Sequence, residues 1–88
     1  MRDSFVVEVI QEMLDSTKSS IEGTICVIDQ SSGRIDQQRR GILRCFKHLG
    51  YLDNLNWTKK YSSDAQHSYA NFVLSKDGRV MLERLLSL

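Results

Sequence analysis

The sequence predicts an α+β domain built from three helices, a two-stranded hairpin and a closing helix. Three observations carry that expectation. Residues 35–52, IDQQRRGILRCFKHLGYL, read as an amphipathic helix that stops at a glycine and runs into an extended segment. Residues 55–74 alternate apolar and polar on either side of a polar stretch, as the two arms of a hairpin do. Behind Ser75, the residues Leu82, Leu85 and Leu86, helped by Met81, recur at helical spacing.

Taken in order, Ser4 is placed to cap a first helix running to about Asp15. Val6, Ile10 and Met13 form its apolar stripe, with Val9 and Leu14 alongside. Residues 15–20, DSTKSS, form a polar loop. Residues 20–30 are ambiguous. Ile21, Ile25 and Ile28 follow helical spacing, yet Thr24-Ile25-Cys26-Val27-Ile28 is also the continuous, β-branched run of a buried strand. A short helix is favoured here, because the next helix needs a partner on its apolar side. Residues 31–33 then form the turn of a helix-turn-helix.

The third helix is read on a wheel of roughly 100° per residue. Ile35, Ile42, Cys45, Phe46 and Leu49 fall on one side; Gln37, Arg40, Arg44, Lys47 and His48 fall on the other. Gly50 supplies the C-cap and Tyr51 starts a strand. Leu55, Trp57 and Tyr61 share one strand face with Lys59 between them, and Ala70, Phe72 and Leu74 share a face of the returning strand.

A chain of 88 residues is expected to form one domain, residues 1–88. Twelve Lys and Arg against eleven Asp and Glu leave a net charge of +1, which by itself endorses nucleic-acid binding only weakly. The distribution says more. Residues 34–60 hold Arg34, Arg39, Arg40, Arg44, Lys47, Lys59 and Lys60 against Asp36 and Asp53, a net +5, and the remainder of the chain is −4. Such segregation makes one face positive, as phosphate steering requires.

Arg2, Asp3 and Glu8 interrupt the apolar start, so no signal peptide is expected. No stretch approaches the ~20 apolar residues of a membrane span. A cytoplasmic, nucleoid-associated location with reduced thiols follows as the expectation. Two cysteines and two scattered histidines lack metal-ligand spacing. Neither a metal nor a cofactor is expected. No G-x-S-x-G elbow, P-loop or paired-carboxylate motif is present, so an enzyme is not expected either.

The segments ILRCFKHLGYL and FVLSKDGRVMLERL carry a resemblance. The first is similar to the end of a recognition helix turning through glycine into the first wing strand of winged helix-turn-helix proteins. The second is similar to their second wing strand entering the helix that follows, a junction common in MarR-like and PadR-like regulators. The resemblance covers nearly the whole chain. It implies a winged helix with a three-helix core, a two-stranded wing hairpin and a C-terminal helix. In that family the third helix lies in the major groove and its first half meets base edges.

That implies Gln37, Gln38 and Arg40 as base-facing residues, with Arg44 and Lys47 further along the same helix. Gly41 on that face would let the backbone approach closely; otherwise it is a mild helix defect. Arg39 falls near the apolar side and has two open readings: a reach to phosphate, or a buried stem paired with an acid. Lys59 and Lys60 precede the wing tip, as phosphate contacts or as protection of a strand edge. His67 reads as a solvated residue of the tip. Trp57 and Tyr61 read as core, with base stacking as the alternative. Cys26 and Cys45 read as small buried hydrophobes, with a redox pair as the alternative.

The function expected is sequence-specific binding of double-stranded DNA, as a small transcriptional regulator. It would be a homodimer through the first and last helices, using Val6, Ile10 and Met13 with Leu82, Leu85 and Leu86. Two alternatives stand beside it: a winged-helix protein-interaction module in a larger assembly, or a plasmid or phage factor for partition or replication control. No membrane or small-molecule partner is expected.

Overall fold

A computed structural model describes residues 4–29, 34–35, 37–61 and 66–88. The chain runs α1 (Ser4–Ser16), β1 (Glu22–Asp29), β2 (Arg34–Ile35), α2 (Gln37–His48), β3 (Leu52–Tyr61), β4 (Gln66–Leu74) and α3 (Gly78–Leu86). The strands form one antiparallel sheet in the order β2-β1-β4-β3. The α+β class, the first helix, the amphipathic helix, the hairpin and the closing helix stand as expected.

Residues 20–30 are the main correction. The described part, residues 20–29, forms no helix: residues 22–29 are strand β1, paired with β4 from Glu22↔Val73 to Asp29↔His67. Ile25 and Val27 are buried while Cys26 between them is only half so, and Ile21 is 61% exposed. Strand alternation therefore overrides the helical spacing of the isoleucines. The deciding partner, β4, lies 38 to 51 residues downstream. Consequently two helices, not three, precede the hairpin among the described residues, and the first helix of the expected helix-turn-helix is absent from its place. The expected turn at 31–33 lies outside the described residues, as does the hairpin tip at 62–65.

One sheet face carries the helices. On β4, Ser68, Ala70, Phe72 and Leu74 are buried in strict alternation with half-buried His67, Tyr69, Asn71 and Val73. His67 therefore belongs to a strand rather than to a solvated tip. The buried face joins Ile25 and Val27 of β1 and Leu52 of β3 to Val9, Ile10 and Met13 of α1, Leu43 and Phe46 of α2, and Leu82 of α3. The opposite face is polar. There Thr24 Oγ1 donates to Asn71 Oδ1 at 2.9 Å, and Asn71 Nδ2 donates to Thr58 Oγ1, a ladder across three strands.

This core takes up part of the surface expected to make the dimer. Ile10, Met13 and Leu82 are buried within the protomer, and Val6, Leu85 and Leu86 pack against them. Helices α1 and α3 bury Ile10, Met13 and Leu82 in the protomer's own core, while Val6, Leu85 and Leu86 stay half-buried.

Two junctions set the helices. At the end of α2, the Gly50 N–H donates to Lys47 O (3.1 Å) and the Tyr51 N–H to Phe46 O (2.9 Å). Gly50 has φ of 83°, and the Phe46 and Tyr51 rings sit 5.8 Å apart. This is a Schellman motif with its hydrophobic contact, which explains why LGYL ends the helix where it does. At the start of α3, the Gly78 N–H donates to Ser75 Oγ at 2.9 Å.

A Cβ on Gly78 would overlap the Tyr51 carbonyl oxygen, and that oxygen already accepts from the Ser75 N–H. Backbone must therefore move. Gly78→Ala is expected to destabilise the fold by about 1–3 kcal/mol, as overpacking against a fixed neighbour does. A urea midpoint unchanged from wild type would show that α3 is not seated on Tyr51 this closely.

Candidate nucleic-acid interface

The basic residues of α2 divide by position on the helix. Arg39, Leu43 and Phe46 point into the protein. Arg40 is half-buried, and Gln38, Gly41, Arg44, Cys45, Lys47 and His48 are exposed. Arg40, Arg44 and Lys47 form the flank facing β3. Gln38 lies on the other flank, about 160° from Arg40 around the axis. Gly41 and His48 stand at the crest.

Arg39 resolves to the second of its two readings. It is 1% exposed. Its Nη2 donates to Glu8 Oε1 at 2.9 Å, its Nη1 pairs with Glu12, and Nη1 also donates to the Cys26 carbonyl oxygen at 3.2 Å. It ties α2 to α1 and β1 and cannot reach a phosphate. Glu8 and Glu12 lie one turn apart on α1, so their carboxylates converge on one guanidinium.

Trp57 of β3 joins the hairpin to the basic flank. The guanidinium carbons of Arg40 and Arg44 lie 5.6 and 5.8 Å from its ring centroid, within cation–π range. The ring is 37% exposed rather than core. Its neighbour two residues along the same strand, Lys59, is exposed. Side chains from a helix and a strand are thus fixed in one cationic surface. Asp53 is the sole acid between residues 37 and 60, so little opposes that charge locally. Lys60 lies on β3 opposite His67, and Gln37 opens α2; the side chains of both lie outside the described residues.

Two further expectations are corrected. Cys45 is exposed, not buried, and Leu49 is 54% exposed. The buried arc of α2 is centred on Arg39, Leu43 and Phe46, which turns Cys45 and Leu49 outward. Cys26 sits between buried Ile25 and Val27, and strand alternation sends it to the face away from the helices. The two thiols therefore lie in different layers and do not form a pair.

A methyl group on Gly41 would meet nothing within 4 Å. Gly41→Ala is therefore expected to raise stability by about 1 kcal/mol through helix propensity alone. If the crest of α2 meets a duplex, the same change weakens duplex binding. Thermal unfolding and a DNA titration on one variant separate the two effects.

Among the described residues no group of three or more His, Cys, Asp or Glu is placed to hold a metal ion, and no helix is long and apolar enough to cross a membrane. Comparison with family models, with curated proteins and with solved structures finds no match to this chain. The fold and site define a class: a small α+β domain with one cationic helix flank joined to a hairpin.

Proposed function

We propose that this chain binds double-stranded DNA through α2 and the β3–β4 hairpin, as a small transcriptional regulator. The arrangement is read as winged-helix-like. The hairpin serves as the wing, β1 as the third strand of its sheet, and α2 occupies the recognition position. The observation that carries the reading is the packing of Arg40 and Arg44 on Trp57. It holds two cations of α2 against the strand that carries Lys59 two residues further on, while the net charge outside residues 34–60 is negative. Arg44, Lys47 and Lys59 then contact phosphates, with Arg40 buttressed between protein and backbone. Gln38, and Gln37 before it, are left to meet base edges in the major groove.

One observation favours a second reading, an interaction module that binds protein. The total charge of +1 is low for a dedicated DNA binder.

Titration of the protein into labelled mixed-sequence duplex at two salt concentrations tests the first reading. Four cations, Arg40, Arg44, Lys47 and Lys59, correspond to a log–log slope of about −3.6, or about a hundredfold weaker binding between roughly 50 and 200 mM salt. Absence of binding at low salt would sink the DNA reading and leave the protein-binding one.

A further inference from the structure

Helix α3 has a second stripe, opposite the one it buries. Asp77, Val80, Met81 and Arg84 follow each other at i, i+3, i+4 and i+7 and line one side of an open groove of about 460 Å³. Leu49 and Tyr51, at the end of α2, form the other side. Val80 is 48% exposed, and Leu49 more so. Leu88, past the end of the helix, is also exposed. Monomeric proteins seldom leave adjoining large apolar side chains uncovered without use.

The order of charges along this stripe says what covers it. An acid stands at one end and a base at the other, seven residues apart, with the apolar pair midway. A twofold axis crossing the helix between Val80 and Met81 brings a second α3 alongside in the antiparallel sense. Under that operation Asp77 of each copy lies level with Arg84 of the other, and Val80 lies level with Met81. Asp77 and Arg84 are exposed, and among the described residues neither makes an ion pair within the chain. The stripe is complementary to itself, as an isologous interface requires.

We propose that this groove is the docking surface for a second copy of the chain, with α3 packed against α3 about that axis and paired by two symmetry-related Asp77–Arg84 contacts. It uses the face of α3 that the core leaves free. It does not depend on whether the chain binds DNA. Seven residues line the groove, against roughly 20–30 a side in a standard interface, so association on the order of micromolar is expected.

Sedimentation equilibrium on the wild type, Asp77→Arg, Arg84→Asp and the double swap tests this. Each single swap places two like-charge pairs across the axis and is expected to weaken association at least about tenfold; the double swap restores opposite pairs and association to within about threefold of wild type. Circular dichroism confirms that each variant is folded. A wild-type protein that stays monomeric to about 500 μM overturns the proposal, that concentration lying far above the micromolar range of weak interfaces. So does self-association that ignores both single swaps, or a double swap that fails to recover.

Discussion

Arg39→Ala is expected to lower the stability of the folded chain by about 2–4 kcal/mol, a fall in melting temperature on the order of 10–20 °C for a domain of this size. The guanidinium is buried at the meeting point of α1, β1 and α2, so its removal unties three elements at once. It also leaves the Glu8 and Glu12 carboxylates facing each other one turn apart, with the Cys26 carbonyl unpaired by that donor. The loss stays below that of a fully buried pair broken from one side, because Glu8 is about half exposed and can turn to water. Arg39→Met keeps most of the stem and should recover part of the loss through packing. Chemical denaturation of both variants measures the effect. A phosphate-contacting Arg39 would behave otherwise: stability within about 0.5 kcal/mol of wild type, with DNA affinity reduced.

The largest functional effect is expected from Arg44→Ala, Lys47→Ala and Lys59→Ala combined. All three residues are exposed, so folding stability should stay close to wild type. If each contributes one phosphate contact, the log–log salt slope drops by about 2.7 and duplex affinity near 0.1 M salt falls several-hundredfold, on the order of 500. The loss should be uniform across sequences, since phosphates carry no base identity. Affinity that survives this triple change would place the nucleic-acid surface elsewhere, or remove it. An unchanged slope with weaker binding would mean that the cations act through the fold rather than at the backbone of DNA.

The two experiments differ in what they move. The first changes stability through a guanidinium that no ligand can reach. The second changes ligand affinity through side chains that the core does not use. Four residues separate these roles around one helix, where Arg39 turns inward, Arg40 leans on Trp57, and Arg44 and Lys47 face solvent.

Local pattern alone determined most of the elements. The stripe of Val9, Ile10 and Met13 requires a first helix, and Gly50 ends α2 through bonds made within six residues of chain. The alternation of Ala70, Phe72 and Leu74 identifies which face of the hairpin is buried. The cationic flank of α2 was also legible, because a helical period places Arg40, Arg44 and Lys47 together wherever the helix goes. Tertiary structure decided the rest. Residues 22–29 carry both a helical and a strand period, and they become strand because β4 offers them a ladder of backbone hydrogen bonds. Arg39 could not be assigned from its own helix, since its partners Glu8 and Glu12 are about thirty residues away in sequence. Trp57 became a platform for two arginines, and Cys45 and Leu49 turned outward, only when α2 was rotated to seat Leu43 and Phe46 in the core. A period says which residues share a face; the packing of distant segments says which face is inside.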